Sequence, residues 1–219
     1  MFSSKTHFNP KGNTVRSTVW RGRRAVQAAC LGLMMASGLT VVAAGPAYAA
    51  SALVISTKAV SAPKGARGLC QQYSWACDRS SHGSVRGAAN EIAIADRINR
   101  AVNSQVREIS DQQQWRKTEK WSLPTARGGD CEDFALLKKR ELMRAGVAPS
   151  KLLIATVLDR RRQAHAVLVL RTDRGDYVLD NLTNRMLPWQ KTGYSFIRMQ
   201  DPRSASGWTK VMRGGMFSS

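Results

Sequence analysis

Two hydrophobic periodicities follow one another along this chain, and their order constrains the fold more than any other feature. Apolar residues first recur at intervals of three or four over residues 95–109. This stripe predicts an amphipathic helix that begins near Gly87 and ends near Ser110. A second helix is predicted from Asp130–Cys131 to Gly146, because a glycine commonly follows the last helical turn. The helical part of the domain therefore comes first.

Shorter apolar runs follow after residue 150 and have the length of strands. The predicted strands are Leu152–Leu158, Ala164–Leu170 and Tyr177–Leu182, with one or two more near Trp189, residues 194–197 and Trp208. Thr172–Gly175 is a turn sequence, and it predicts a hairpin in which Arg171 pairs with Asp176. Helices followed by an antiparallel sheet make an α+β domain, which we place at residues 70–210.

The N-terminal part of the chain has the pattern of an export signal. Residues 1–24 contain six Lys or Arg and no acid, and an apolar run extends from about Ala25 to Gly45. Ala47–Ala49 then supplies an Ala-x-Ala site for a signal peptidase. A run of this length could instead stay in a membrane as an anchor. We expect residues 1–49 to be a cleaved signal peptide, which makes the protein periplasmic.

The basic net charge first suggests nucleic acid as a partner. The chain carries 34 Lys and Arg against 15 acids, a net charge of +19. Six of the basic residues lie in the predicted signal, so the exported chain would keep +13. Export separates the protein from most nucleic acid, and no binding motif is present, so we expect no nucleic-acid partner. The basic run Arg160–Arg162 could rim a cleft for acidic substrates or form a solvated loop.

Three cysteines follow the predicted cleavage site. An oxidising compartment makes Cys70 and Cys77 candidates for a short disulfide, and no further Cys or His cluster lies near them to favour a metal site. Cys131 is left unpaired, and an unpaired thiol in an exported protein needs an explanation. Composition makes residues 50–69 a linker and residues 211–219 a flexible tail.

Cys131, His165 and Asp180 occur in the order and the settings that thiol catalysis needs. Cys131 lies at a predicted helix start, where unpaired N–H groups and the helix dipole favour a thiolate. In the predicted hairpin register, Asp180 is a diagonal neighbour of His165 on the same face. A thiol, an imidazole and a carboxylate in this arrangement could carry out acyl transfer.

Each of these residues also has an ordinary structural interpretation. Cys131 could be a small buried apolar residue, His165 a core histidine bonded to backbone, and Asp180 the end of a strand. The neighbouring acids Asp130, Glu132 and Asp133 could be an N-cap and first-turn acids, and they would raise the pKa of a nearby thiol. A cation bound to these three acids would remove that conflict, and carboxylate oxygens suit Ca²⁺.

Several segments of the sequence together match the motifs of a known family. They are Trp121-x-x-Pro124, Gly129-Asp130-Cys131-Glu132-Asp133-Phe134-Ala135, Ala164-His165-Ala166-Val167-Leu168, Val178-Leu179-Asp180-Asn181, and the upstream helix from Ile98 to Asp111. With these segments the chain resembles the bacterial transglutaminase-like cysteine peptidases, which include the LapG-like periplasmic proteases that cut large surface adhesins. The resemblance covers about residues 70–210.

The resemblance implies a fold, site roles and partners. The fold would be papain-like, with the cysteine at a helix start packed on an antiparallel sheet. Cys131 would be the nucleophile, His165 the general base and acid, and Asp180 the orienting carboxylate. Trp121 would lie over the site, where its indole N–H could help hold the oxyanion. Asp130, Glu132 and Asp133 would bind calcium, and a monomer would cut a surface protein under a membrane-bound regulator.

The leading interpretation is a secreted cysteine peptidase acting on a protein substrate. A transglutaminase or amidase could use the same three residues and pass the acyl group to another acceptor. A basic periplasmic binding protein without catalysis is a third interpretation.

Overall fold

The structure is a computed structural model that describes residues 51–53 and 55–217. The predicted signal peptide, residues 1–49, lies outside these residues. No helix within the described part of the chain is both long enough and apolar enough to cross a membrane.

In the described part of the chain, four α-helices precede the main strands. Their bounds are α1, Leu69–Gln72; α2, Ala88–Gln105; α3, Asp111–Trp115; and α4, Cys131–Arg144. The stripe predicted for α2 is present, but the helix ends five residues before Ser110. Val106 is extended, and the Ile109 N–H donates to the Gly129 carbonyl at 3.0 Å. The end of the stripe therefore pairs with the chain just before α4 instead of continuing the helix.

Seven strands among residues 55–217 form one antiparallel sheet. They are β1, Ala59–Val60; β2, Leu152–Leu158; β3, Ala164–Thr172; β4, Gly175–Leu179; β5, Leu187–Pro188; β6, Ser195–Gln200; and β7, Trp208–Arg213. The strand order is β1-β7-β6-β2-β3-β4-β5. Helices followed by an antiparallel sheet make the α+β fold that the sequence predicts.

The hairpin of β3 and β4 has the predicted register. Arg171 pairs with Asp176 and Leu168 with Leu179. Thr172 and Gly175 also pair, so the connecting turn is shorter than the predicted four-residue loop. Because β4 ends at Leu179, Asp180 follows the strand directly, close to the point where β3 begins.

Apolar side chains cover both faces of the sheet. On one face, α4 packs against β3 and β2, and α2 packs against α4. The core on this face includes Leu136, Leu142, Leu152, Ile154 and Leu168, all fully buried. The second face has its own core, which includes Leu53, Leu153, Val169, Phe196 and Met199. A sheet buried on both faces gives α4 and the starts of β3 and β6 rigid positions.

The two segments that composition predicts to be a linker and a tail both contain regular structure. Within residues 50–69, β1 pairs with β7, and the Leu53 N–H donates to the Asp176 carboxylate at 2.8 Å. Within residues 211–219, Val211 is a buried residue of β7. Small and polar residues lack an obvious periodicity, so their composition does not reveal strand pairing at a sheet edge.

The structure contains the predicted disulfide. Cys70 lies in α1 and Cys77 in the following 3₁₀ turn, and their sulfurs are bonded. Cys131 is the free cysteine among the described residues.

Candidate active site

Cys131 is the first residue of α4, as the sequence predicts. Its N-cap residue, Asp130, is extended, and the Asp130 side chain does not cap the helix. The first N–H groups of a helix have no partner within the helix, so the Cys131 backbone N–H is an oriented donor beside its own sulfur. Cys131 as a residue is partly exposed, and its thiol donates a hydrogen bond to Glu132 Oε2 at 3.2 Å.

His165 and Asp180 form a buried pair. His165 is the second residue of β3, and Asp180 follows β4; their side chains are 6% and 3% exposed. His165 Nε2 lies 2.8 Å from Asp180 Oδ1. The Leu182 N–H also donates to Oδ1, at 3.0 Å, and the Tyr194 hydroxyl donates to Oδ2, at 2.5 Å. Both oxygens of the Asp180 carboxylate are therefore hydrogen-bonded.

The hydrogen bonds to Asp180 fix its charge and the tautomer of His165. Burial disfavours the ionised carboxylate, but hydrogen bonds from His165, Tyr194 and Leu182 lower the pKa of Asp180 overall. An ionised carboxylate only accepts hydrogen bonds, so the proton of neutral His165 lies on Nε2. Nδ1 is then the unprotonated nitrogen that can take a proton.

Cys131 and His165 line the same cleft, whose volume is about 500 Å³. Thr156–Leu158 of β2 and Ala164–Ala166 of β3 line it, together with Ile197 and Arg198 of β6. Residues 61–64 and Arg67, from the segment before α1, also line it and add the basic side chains of Lys64 and Arg67. The sequence places the thiol and the imidazole 34 residues apart, and the fold brings them to one opening.

Trp121 also lines the cleft and is 3% exposed. Its indole N–H donates to Glu119 Oε2 at 3.2 Å. The ring packs edge-on against Trp208, with the centroids 5.8 Å apart. The indole N–H that the resemblance assigns to an oxyanion therefore has a carboxylate partner in this structure.

Three acids gather beside the thiol. Ligand atoms of Asp111, Asp130 and Glu132 all lie within 4.8 Å of one another, a spacing at which they could hold a metal ion. Asp130 Oδ2 accepts a hydrogen bond from the Asp111 N–H at 3.0 Å. Asp111 Oδ1 and Asp130 Oδ1 are buried and have no hydrogen-bond partner.

Asp133 lies next to this group but has a different partner. Its Oδ1 accepts the Ser122 N–H at 2.8 Å, which ties the start of α4 to the preceding segment. Its Oδ2 is buried without a hydrogen-bond partner. Of the three predicted metal ligands, the structure places Asp130 and Glu132 together with Asp111, and it gives Asp133 a contact with backbone.

In the absence of a cation, burial and mutual repulsion disfavour the ionised forms of these acids. Both effects raise the pKa of Asp111 to about 6 and that of Glu132 to about 9. Burial also raises the pKa of Asp133 to about 7. Burial and then Glu132 raise the pKa of the Cys131 thiol well above its usual value, although a backbone hydrogen bond from Ala166 opposes them. The acids thus work against a thiolate, as expected from the sequence.

The sequence pattern predicts no site role for Asp111 or Tyr194. Asp111 belongs to a short helix whose N-terminus Ser110 caps, so locally it looks like an ordinary first-turn acid. Tyr194 precedes β6 and looks like part of that strand. The available signal for both residues is a polar side chain at the end of an element. Which partner each side chain contacts depends on the tertiary fold.

The basic run predicted as a cleft rim or a solvated loop lies at the β2–β3 turn. Arg160 Nε donates to the Thr192 carbonyl at 2.8 Å, and Arg161 and Arg162 are exposed. None of the three lines the cleft that contains Cys131, so the solvated loop describes the run better.

Comparison with protein families now identifies the chain. The profile of the bacterial transglutaminase-like cysteine proteinases (BTLCP) matches residues 56–215. The chain belongs to this family. It is therefore a cysteine peptidase of the transglutaminase-like type, and the predicted enzyme class is confirmed. Comparison with curated protein sequences gives no match.

Solved structures of LapG from Legionella pneumophila are among the similar folds. The calcium-bound form is 22% identical, with a TM-score of 0.47, and the match covers 68% of this chain and 87% of that one. The EGTA-treated form is 25% identical, with a TM-score of 0.45, and the match covers 51% of this chain and 63% of that one. The chain thus spans less than two thirds of the EGTA-treated structure.

Proposed function

We propose that this peptidase cleaves a protein substrate with Cys131 as nucleophile, His165 as general base and acid, and Asp180 as the carboxylate that orients His165. One observation carries the proposal: the thiol and the imidazole open onto one cleft, and the imidazole is held from behind by an ionised, fully hydrogen-bonded carboxylate. If His165 only filled the core, we would not expect it to line an open cleft together with a free thiol.

The proposed reaction uses these three groups in turn. His165 Nδ1 takes the thiol proton, and Sγ attacks the carbonyl carbon of the substrate peptide. The imidazolium gives the proton to the leaving nitrogen, the C–N bond breaks, and a thioester remains. Water then attacks the thioester, His165 takes a proton from that water, and the thiol and a carboxylic acid are released.

The oxyanion formed during each attack needs a donor near Cys131. The Cys131 backbone N–H lies at a helix start, where it is oriented and has no partner within the helix. A fixed backbone donor aimed at the developing charge typically contributes strongly to catalysis. Trp121 is less suited to bind the oxyanion, because its indole N–H already donates to Glu119.

Calcium is the proposed ligand of the acids beside Cys131. Asp111, Asp130 and Glu132 fit a cation for two reasons: two of their buried oxygens lack partners, and all three supply hard oxygen ligands. Asp133, the third acid expected from the sequence, could add its unpaired Oδ2. Bound Ca²⁺ would supply positive charge that offsets the repulsion between these carboxylates and the thiolate.

Location and partners are proposed from the sequence. Residues 1–49 have the order of a signal peptide, so the working enzyme would be a periplasmic monomer made of residues 70–210 with flanking segments. Its protein substrate would be a cell-surface, adhesin-like protein, and a membrane-bound regulator would control its access. An open cleft about 500 Å³ in volume is consistent with an extended polypeptide as substrate.

The test compares proteins released from the surface of the producing bacterium. Cells that lack the enzyme receive either the wild-type protein or Cys131→Ala, and mass spectrometry identifies new N-termini in the medium. We expect defined new N-termini with the wild type and none with Cys131→Ala. Asp173→Asn, which alters an exposed acid in the β3–β4 turn, is the matched control and should cleave like the wild type.

Two outcomes would contradict the proposal. Cleavage by Cys131→Ala would remove the thiol from the reaction. Incorporation of a labelled amine without new N-termini would show that the same three residues transfer the acyl group to an amine instead of to water.

A further inference from the structure

A short segment before α1 brings two basic side chains to the cleft that contains Cys131. Lys64–Ala66 forms a 3₁₀ turn, and the Arg67 N–H donates to the Lys64 carbonyl at 3.3 Å. Side chains three residues apart are eclipsed in a 3₁₀ turn, so Lys64 and Arg67 lie on the same side of the segment. Both residues are exposed, and both line the cleft. The turn therefore presents a pair of cations to the opening.

Close packing fixes the position of this turn. Ala66 is 5% exposed and belongs to the same core cluster as Trp121. Gly65 lies so close to the indole that a Cβ atom added to it would be 2.9 Å from Trp121 Nε1. Arg198 of β6 holds the beginning of the segment, where its Nη1 donates to the Ser61 carbonyl at 2.9 Å. The buried side of the turn thus packs on Trp121, and its basic side chains line the cleft.

The side chains of Lys64 and Arg67 are available to bind an anion. Within the described part of the chain, neither side chain makes a hydrogen bond or an ion pair. Among the described residues that line the cleft, the acids are Glu119 and Glu132. Glu119 accepts the indole hydrogen bond, and Glu132 accepts the thiol hydrogen bond. Both acids contact other groups, so a carboxylate of a bound peptide could pair with Lys64 or Arg67.

A peptide bound for attack by Cys131 would lie near both cations, because all three residues line one cleft. An extended chain advances about 3.3 Å per residue, so a few substrate residues cross a cleft of this size. One exposed ion pair contributes little to binding, but two fixed cations side by side attract acidic side chains and repel basic ones. Their charge would therefore decide which peptides bind and not how the peptide bond breaks.

We propose that Lys64 and Arg67 are specificity-determining residues that select substrate segments with Asp or Glu near the scissile bond. The proposal rests on the peptidase function proposed above and adds a substrate class to it. The run at residues 160–162, which the sequence offered as a basic rim, does not line this cleft, whereas Lys64 and Arg67 do.

The first test measures peptide binding to the inactive Cys131→Ala protein by fluorescence anisotropy. The probes are two fluorescein-labelled peptides of about twelve residues, long enough to cross the cleft, which repeat Asp-Ala-Gly or Asn-Ala-Gly. We expect the Asp peptide to bind about tenfold more tightly than the Asn peptide. This advantage should shrink as NaCl is raised from about 50 mM to about 500 mM, because salt screens exposed charges. Lys64→Gln combined with Arg67→Gln should remove the advantage.

Arg86→Gln combined with Arg174→Gln is the matched control. It removes the same charge from two exposed arginines that do not line the cleft, so it should keep the preference for the Asp peptide. Equal binding of the two peptides, no binding of the Asp peptide, or an equal loss of preference in the control would overturn the proposal.

Charge reversal separates recognition from damage to the fold. Lys64→Glu combined with Arg67→Glu should keep Tm, since both side chains are exposed, and should favour a peptide that repeats Lys-Ala-Gly. In the active enzyme, this reversal should raise KM for acidic substrates about tenfold or more and leave kcat unchanged. A reversed variant that still prefers the Asp peptide would contradict the role of the two cations.

The two readouts also distinguish this proposal from the peptidase function on which it rests. Binding to the Cys131→Ala protein does not depend on catalysis, so the preference for Asp can be present even if the wild-type protein cleaves no peptide. Cleavage by the wild type without a preference for acidic segments would support the peptidase function and exclude Lys64 and Arg67 as its specificity determinants.

Discussion

The two halves of the candidate active site differ in how completely their polar groups are paired. The imidazole half consists of His165, Asp180 and Tyr194, which the sheet carries, and both carboxylate oxygens of Asp180 accept hydrogen bonds. The thiol half consists of Cys131 and the acids Asp111, Asp130 and Glu132. There, one oxygen of each aspartate is buried without a partner.

The pKa values follow the same division. Hydrogen bonds lower the pKa of Asp180, so its charge is stable in the fold. Burial and mutual repulsion raise the pKa of Asp111 and Glu132, so the fold disfavours their ionised forms. The fold alone completes the imidazole half, whereas the proposed calcium ion would supply the positive charge that the thiol half lacks. The two halves should therefore respond differently to mutation, to chelators and to pH.

The largest effect should come from removing the centre of the imidazole half. Asp180→Ala takes away the group that orients His165 and should lower kcat/KM by about 1,000-fold. Asp180→Asn keeps an acceptor for His165 Nε2 but loses the charge, so its activity should be intermediate. The measurement is cleavage of the substrate found in the release experiment, with circular dichroism as the check on folding.

Asp173→Asn again serves as the control, because it removes an exposed carboxylate from the same hairpin. Full activity in Asp180→Ala would mean that His165 is oriented without Asp180, and it would remove the contrast between the halves.

The imidazole half could be anticipated because its geometry depends on local patterns. The turn at residues 172–175 sets the register in which Arg171 pairs with Asp176. That register brings the chain after β4 back to the start of β3, and therefore Asp180 to His165. The helix that begins at Cys131 was also predictable, because its apolar spacing and final glycine are local signals. The contact of Tyr194 with Asp180 is not predictable, since nothing near Tyr194 in the sequence indicates a carboxylate partner.

The thiol half depends on contacts that no local pattern indicates. Asp111 joins Asp130 because α2 ends early and the Ile109 N–H pairs with the Gly129 carbonyl. The apolar stripe continues past the true end of α2, so periodicity predicted a longer helix. The intervening segment has no periodicity, and its path cannot be predicted from spacing. The sequence therefore predicts an acid cluster of Asp130, Glu132 and Asp133, whereas the structure brings Asp111 from another element to Asp130 and Glu132.

The next effect in size should be a calcium dependence confined to the thiol half. Addition of Ca²⁺ to chelated protein should raise Tm and restore activity, because bound cation stabilises the folded state by mass action. Asp111→Asn should weaken this response about tenfold or more in calcium concentration, since it removes a charged ligand. Differential scanning fluorimetry during a calcium titration gives Tm and the calcium concentration at which Tm responds.

Asp173→Asn should keep the wild-type calcium response. If a chelator changes neither Tm nor activity, or if Asp111→Asn responds to calcium like the wild type, the cluster does not bind the ion.

A smaller effect should appear in the pH dependence of stability without calcium. The pKa values of Asp111, Asp133 and Glu132 are raised to about 6, 7 and 9 in the folded protein. The folded state therefore binds more protons than the unfolded state between about pH 4 and these values, so stability falls as pH rises. Tm in EDTA should decrease from pH 5 to pH 8, and it should decrease less with calcium. A chelated protein whose Tm rises over this range would contradict the assignment.

The smallest effect should come from Tyr194→Phe, which changes the imidazole half without removing its pair. The phenol donates to Asp180 Oδ2, while His165 and the Leu182 N–H hold Oδ1. Loss of the hydroxyl leaves Oδ1 in place, so His165 should stay oriented and kcat/KM should fall by about tenfold, the size of one hydrogen bond to a charged group. The Asp180 carboxylate would lose one stabilising donor, and its pKa should rise. Since no acid of the thiol half contacts this hydroxyl, the calcium titration of Tyr194→Phe should match the wild type. A changed calcium response would show that the two halves are coupled and would end their description as separate units.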